Sequence, residues 1–318
     1  MNKLNQLKKY TTIVADTGDF ESISIYKPTD STTNPSLILK ATTNPSYQSL
    51  IEDAIVFSKN SSLDKQTQLE NALDKLLVNF GKEILKVVPG RVSIEVDARL
   101  SFDTEGTVKK AKKIIDLFKQ ENIDTNKILI KIAATWEGIQ AAKQLEKEGI
   151  SCNITLLFSL VQAAAAAEAN TTLISPFVGR ILDWYAKNNL IQSKEPKDDP
   201  GVISVKNIYN YLKNHDYKTQ IMGASFRNIE EILELSGLDL LTISPNLLEQ
   251  LNKQIGQIEP KLKKENAKKE NLTKIKIDEK TFRLMLNENQ MATEKLSDGI
   301  RLFIKDIIKL EEKILAQL

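Results

Sequence analysis

Ile128-Leu129-Ile130-Lys131-Ile132-Ala133 is a run of apolar residues interrupted once, by a lysine. Side chains alternate faces along a strand, so Ile128, Ile130 and Ile132 share one side, and Leu129, Lys131 and Ala133 share the other. The next stretch, 136–148, has helical spacing and stops at Glu148-Gly149, where glycine suits the left-handed position that ends helices. Cys152-Asn153-Ile154-Thr155-Leu156-Leu157 then reads as a second strand. A strand, a helix and a strand in succession make a parallel unit.

The same rhythm extends in both directions. Strands are expected at 11–16, 31–33, 92–98, 128–134, 152–157, 173–178, 220–224 and 240–244. Helices are expected at 46–59, 66–87, 104–121, 136–148, 159–169, 181–187, 229–236 and 245–255. Asn34-Pro35 and Ser175-Pro176 punctuate strand ends, because the residue before proline is pushed out of the helical region. Eight strand–helix repeats favour an α/β chain closed into a (β/α)8 TIM barrel over an open doubly wound sheet. Residues 1–318 are read as a single barrel domain. Within it 188–201 reads as a long polar loop, and 259–290 as a lysine-rich excursion whose densest part is 259–280. Leu296, Ile300, Phe303, Ile307, Leu310, Ile314 and Leu318 then recur every three or four residues, which predicts an extra C-terminal helix over 292–318 packing on the barrel.

Composition narrows the function. The chain is 41% hydrophobic and 27% charged, with a net charge of +2, too small to argue for nucleic acid or an anionic membrane as the main partner. Cys152 is the only cysteine, so no internal disulfide forms; with no signal peptide in view, a cytoplasmic protein is expected. No run approaches the ~18 apolar residues of a membrane span. His215 is the only histidine, which excludes a three-histidine zinc site; set in Lys213-Asn214-His215-Asp216-Tyr217, it reads as a solvated surface residue. G-x-S-x-G, P-loop and G-x-G-x-x-G motifs are all missing.

Polar residues on strand interiors carry the rest. Lys131 faces the barrel axis among apolar neighbours, and removing an ammonium from water disfavours its charge. The free amine is the form a Schiff-base nucleophile needs, although a structural ion pair would also place a lysine there. Ser93, Glu95 and Asp97 share the inner face of the third strand, Asn153 and Thr155 that of the fifth, and Ser175 and Phe177 one face of the sixth; Asp16 ends the first. A barrel core is ordinarily Val, Ile and Leu, so polar groups at the strand C-termini read as an active site. Arg180 and Arg227 follow the sixth and seventh strands and suit a phosphate clamp.

These residues sit in segments that together resemble one family. They are Tyr10-Thr-Thr-Ile-Val-Ala-Asp16-Thr-Gly-Asp19, Ser93-Ile-Glu95-Val-Asp97-Ala-Arg99, Ile128-Leu-Ile-Lys131-Ile-Ala-Ala-Thr135-Trp136, Asn153-Ile-Thr155-Leu-Leu-Phe158-Ser159, Ser175-Pro-Phe177-Val-Gly-Arg180 and Met222-Gly-Ala-Ser225-Phe-Arg227. In order and over essentially the whole chain, they resemble the transaldolases, and the longer, bacterial-type members more than the short fructose-6-phosphate aldolases. The resemblance implies that Lys131 forms the Schiff base and that Asp16 takes the C4 hydroxyl proton. Glu95 and Thr155 would hold a proton-relaying water. Asn34, Asn153 and Ser175 would bind the dihydroxyacetone hydroxyls, Phe177 would line the pocket, and Arg180, Arg227 and Ser225 would bind phosphate. It further implies sugar-phosphate substrates, no metal or organic cofactor, and a homodimer. The barrel mouth must restrict water, and the C-terminal helix, packed on the barrel or on a partner chain, is a candidate cover.

Other readings share these residues. A related class I aldolase would use Lys131 but release the three-carbon unit. An inactive barrel kept as a binding protein would have lost the lysine or its acid–base partners, and both are present. A nucleic-acid role for 259–280 lacks interleaved aromatics.

Overall fold

The computed structural model describes residues 1–318, the side chains of Glu21 and Ser22 excepted. Eight parallel strands close in sequence order into a barrel, with β1 paired to β8. They are β1 Thr12–Asp16, β2 Asp30–Thr32, β3 Val92–Glu95, β4 Ile128–Ala133, β5 Cys152–Leu157, β6 Leu173–Pro176, β7 Gln220–Gly223 and β8 Leu240–Ile243. All eight expected strands are present, most of them one to three residues shorter than expected. The third ends at Glu95 rather than 98 for a local reason: the Asp97 carboxylate accepts the Arg99 N–H at 2.8 Å and starts a 3₁₀ turn. Asp97 therefore lies beyond the strand, paired with Arg99 at 2.6 Å, instead of facing the barrel axis.

The alternation read from the sequence sets the layers. Val14, Leu129, Leu173, Met222 and Leu240 fill the barrel interior below the polar residues. Ile128, Ile130 and Ile132 face the helices and join the main core. Burying each of these side chains contributes about 1.5–3 kcal/mol. The alanine-rich helix Leu160–Glu168 is buried along Ala163–Ala167, where small side chains bring it close to the barrel. Gly138, in the first turn after β4, leaves no space for a side chain, since a Cβ there would lie 2.2 Å from the Ala133 carbonyl oxygen.

Several helices escaped the sequence reading. Lys3–Leu7, Phe20–Tyr26 and Pro35–Ala41 are short, and Glu279–Glu288 sits inside the lysine-rich excursion. Pro200–Asn214 is the longest. Its Pro200 looks like a breaker but occupies the first helical turn, where proline is favoured. Asp199 completes the start by accepting the Gly201 and Val202 N–H groups at 2.7 and 3.2 Å.

His215 is a second correction. It ends that helix half-buried, its ring 4.6 Å from Tyr211 and edge-on, rather than standing free in solvent. The lysine-rich segment runs over the same region: Ile275 N–H donates to the Tyr211 hydroxyl at 3.0 Å, and Asn214 donates to the Ala267 and Glu270 carbonyls.

The C-terminal helix spans Gln290–Leu315 and packs on its own barrel. Asn289 caps it by accepting the Ala292 N–H at 3.0 Å. Ile300, Phe303, Ile307, Leu310 and Ile314 are buried, as the stripe predicts. Polar contacts fasten it across the mouth: Glu311 to Arg99 at 2.5 Å, Asp306 to Ser36, and Lys313 to the Thr42 carbonyl. No helix among the described residues is long and apolar enough to cross a membrane.

Candidate active site

Strand register assembles the site. Glu95 pairs in register with Lys131, and Lys131 with Asn153, so three adjacent strands present all three side chains at one level of the interior. One step further, Ala133 is opposite Thr155. Asp16 pairs with Thr32 at the end of β1.

The lysine amine lies 2.9 Å from Glu95 Oε2 and donates to the Thr33 carbonyl at 3.1 Å. Both side chains of the pair are about 95% buried, at 6% and 4% exposure. Among the described residues Glu95 Oε2 meets only the Lys131 amine, and the buried Thr155 hydroxyl has no hydrogen-bond partner. A buried hydroxyl left in this way is costly unless a ligand or water meets it. Burial pushes the Glu95 carboxyl above the ordinary carboxylate range, against the downward pull of Lys131. Burial likewise raises Asp16, opposed first by Lys131 and then by a hydrogen bond from the Thr32 hydroxyl at 3.3 Å. Two carboxyl groups thus flank one amine, each shifted toward the pH at which acid–base catalysis is efficient.

A second cluster is built of side-chain amides and hydroxyls. Ser175 donates to Asn153 Oδ1 at 2.6 Å, and Asn153 donates to the Ser93 hydroxyl at 3.1 Å. Asn34 caps the helix Pro35–Ala41 by accepting the Leu37 N–H at 2.9 Å. Its backbone is held in extended conformation by the following proline.

The outer end is cationic. Ser225 has φ +63°, in the left-handed region that non-glycine residues avoid. The strained turn is fixed by the Gly179 N–H donating to the Ser225 carbonyl at 2.9 Å. Arg227 forks onto Asp183, with contacts of 2.6 to 3.2 Å. Burial, and then the charge of Arg227, press the Arg180 guanidinium below its usual value, so this corner favours an anion.

A cavity of about 220 Å³ connects these parts. Asp16, Asn34, Lys131, Thr155 and Ser175 line it toward the floor, and Phe177, Arg180, Ser225 and Arg227 toward the mouth. Glu95 and Asn153 stand immediately behind, one against Lys131 and the other against Ser175. Sequence reasoning missed Thr32, Thr242 and Ser244 in this lining, and Asp183 as the partner of Arg227. Thr32 and Thr242 are 2.9 Å apart, and the segments read as their strands, 31–33 and 240–244, hold no charged residue to draw notice.

A family model described as transaldolase/fructose-6-phosphate aldolase matches residues 13–314. The chain belongs to that family. It is 59% identical to the transaldolase of Protochlamydia amoebophila (strain UWE25), an alignment covering 98% of this chain and 97% of that protein. It is 58% identical to the transaldolase of Rattus norvegicus and 56% identical to that of Homo sapiens, each over 98% of this chain and 93% of the other. Family membership and the closed barrel agree with the architecture read from strand spacing.

One carboxyl at the mouth of this transaldolase-family barrel yields a prediction. Glu231 accepts the Arg227 N–H at 2.7 Å, and its own N–H donates to Asn228 Oδ1 at 2.9 Å. Burial, with help from the negative charge of Asp199, raises it to about 7. A carboxyl raised on folding contributes stability that is complete below its unfolded value and lost as pH rises through the folded one. Glu231→Gln keeps the acceptor and removes the titration. Between pH 5 and pH 8 the variant should gain on the wild type by on the order of 1–3 kcal/mol in denaturant titrations. A constant difference across that interval would show that Glu231 does not titrate there.

Proposed function

We propose that the protein is a transaldolase that moves a dihydroxyacetone unit from sedoheptulose 7-phosphate to glyceraldehyde 3-phosphate, giving erythrose 4-phosphate and fructose 6-phosphate. The carrying observation is the buried Lys131–Glu95 pair, 2.9 Å apart, at the inner end of a cavity whose outer end holds two arginines.

The chemistry follows in order. The Lys131 amine adds to the ketose carbonyl, and water leaves as the imine forms. Asp16 takes the proton of the C4 hydroxyl, the C3–C4 bond breaks, and its electron pair moves into the protonated imine as an enamine. The aldehyde phosphate departs. The enamine then adds to the acceptor aldehyde, and water releases the new ketose. Glu95 and Thr155 relay protons through a water during imine formation and hydrolysis; the partnerless Thr155 hydroxyl and the contact of Glu95 with Lys131 favour this assignment. Asn34, Asn153 and Ser175 hold the hydroxyls of the three-carbon unit, Phe177 walls the pocket, and Arg180, Arg227 and Ser225 take the phosphate. The reaction belongs to the non-oxidative pentose phosphate pathway. A cytoplasmic location and a homodimer follow from the same resemblance.

The matched family also includes aldolases that release the three-carbon unit. The enamine must outlive the first aldehyde for transfer to occur, and the helix Gln290–Leu315 across the mouth supports restricted water access. The test is to incubate with fructose 6-phosphate, reduce with borohydride, digest and weigh the peptides. A dihydroxyacetone-derived label on the Lys131 peptide supports the reading. A label on another lysine, or none on folded protein, ends it. Free dihydroxyacetone accumulating without an added acceptor would favour the aldolase instead.

A further inference from the structure

The two arginines at the mouth are held differently. Arg227 is committed to Asp183 through a forked ion pair. Among the described residues, no hydrogen bond or ion pair joins the Arg180 guanidinium to another side chain; two ring faces hold it. Its Cζ is 4.8 Å from the centroid of Phe177 and 5.5 Å from that of Phe303. Phe177 follows β6 and is braced edge-on by Phe158 at 5.4 Å. Phe303 belongs to the C-terminal helix and is 1% exposed.

One turn earlier on the same face of that helix is Gly299. A Cβ there would lie 2.6 Å from a Leu156 methyl and 3.4 Å from Arg180 Nη1. Leu156 is itself diverted. β5 carries one extra residue against β6 between Ile154 and Leu157, and Leu156 adopts φ +53°. The bulge sends Leu156 toward the C-terminal helix, beside the inward Thr155. Glycine at 299 lets the helix approach closely enough for Phe303 to cover the guanidinium.

We propose that Phe303 is a positioning residue for phosphate recognition. With Phe177 it clamps the Arg180 guanidinium by cation–π contact and leaves its N–H donors free for the anion. The inference rests on Arg180 being a phosphate ligand. Its logic is one of competition. A carboxylate partner occupies donors that a phosphate needs and must be displaced or shared, as Asp183 must be on Arg227. A ring face fixes the plane of the cation and occupies no donor. Arg180 is therefore the preset half of the clamp, and Arg227 the half recruited by the ligand.

The test compares wild type with Phe303→Leu, which preserves apolar bulk without a ring, and Phe303→Tyr, which keeps the ring. Steady-state rates are measured with fructose 6-phosphate and with unphosphorylated fructose as donors, with unphosphorylated glyceraldehyde as the acceptor in both cases, and with inorganic phosphate as inhibitor. Phe303→Leu should raise KM for fructose 6-phosphate and the inhibition constant of phosphate roughly 2- to 30-fold, the range for losing a partly desolvated cation–π contact. The kcat, and the slow rate with fructose, should not move, and Phe303→Tyr should restore KM. Gly299→Ala, which presses on Leu156, should reproduce the KM effect if Phe303→Leu is poorly folded. Unchanged KM in both variants would overturn the proposal, as would an equal loss with fructose and fructose 6-phosphate, which marks a merely structural helix. Absence of the Lys131 adduct in the wild type would overturn the functional reading and this one with it. An intact adduct with unchanged KM would overturn this one alone.

Discussion

Lys131→Ala is expected to lose the borohydride-trapped adduct entirely and to lower kcat by on the order of 10⁴-fold or more, as removal of a covalent nucleophile does. Its stability should also fall more steeply with rising pH than the wild type's. The Lys131–Glu95 pair is buried on both sides, and breaking such a pair by deleting one partner costs about 3–5 kcal/mol because the other charge is stranded. Glu95 already lies above the ordinary carboxylate range from burial, and Lys131 is the main group pulling it down. Without the lysine it must rise further. Stability tied to a raised carboxyl is complete at low pH and fades as pH rises through the folded value. The variant should therefore be close to wild type near pH 5 and clearly weaker near pH 8. Adding Glu95→Gln should recover most of the loss at pH 8 and none of the activity. Denaturant titrations of the three proteins at both pH values decide it. A pH-independent deficit would mean that Lys131 contributes packing rather than charge compensation.

The barrel was legible because period-two alternation survives in short strands. Ile128, Ile130 and Ile132 could only face the helices, so Lys131 had to face the axis, and register then set Glu95 and Asn153 beside it. The hidden parts depend on local chemistry that strand periodicity does not encode. Pro200 begins a helix that it looks able to break. Asp97 bends the chain out of β3 through a side-chain cap. The bulge at Leu156 depends on pairing with β6 and on the C-terminal helix, and neither is local in sequence. The clamp on Arg180 was out of reach for the same reason. Its rings come from positions 177 and 303, and the stripe containing Phe303 reads simply as a buried helix face.

Asp16→Asn should separate bond cleavage from imine formation. Asparagine matches aspartate in size and can still accept the hydrogen bond from the Thr32 hydroxyl, so the end of β1 should be undisturbed. It cannot take a proton. If Asp16 is the base for the C4 hydroxyl, imine formation at Lys131 proceeds and the reaction stops before the C3–C4 bond breaks. Turnover should fall roughly 10²- to 10⁴-fold, the usual share of general acid–base catalysis. After borohydride the Lys131 peptide should then carry the whole ketose phosphate instead of the three-carbon unit. The pH profile adds an independent check. Burial raises Asp16, so wild-type kcat should climb with pH along a limb displaced above the ordinary carboxylate range, because only the ionised form accepts the proton. That limb should be missing in the variant. A three-carbon adduct that still predominates in Asp16→Asn would assign bond cleavage to another base, and Glu95, paired with the same lysine, would be the residue to test next.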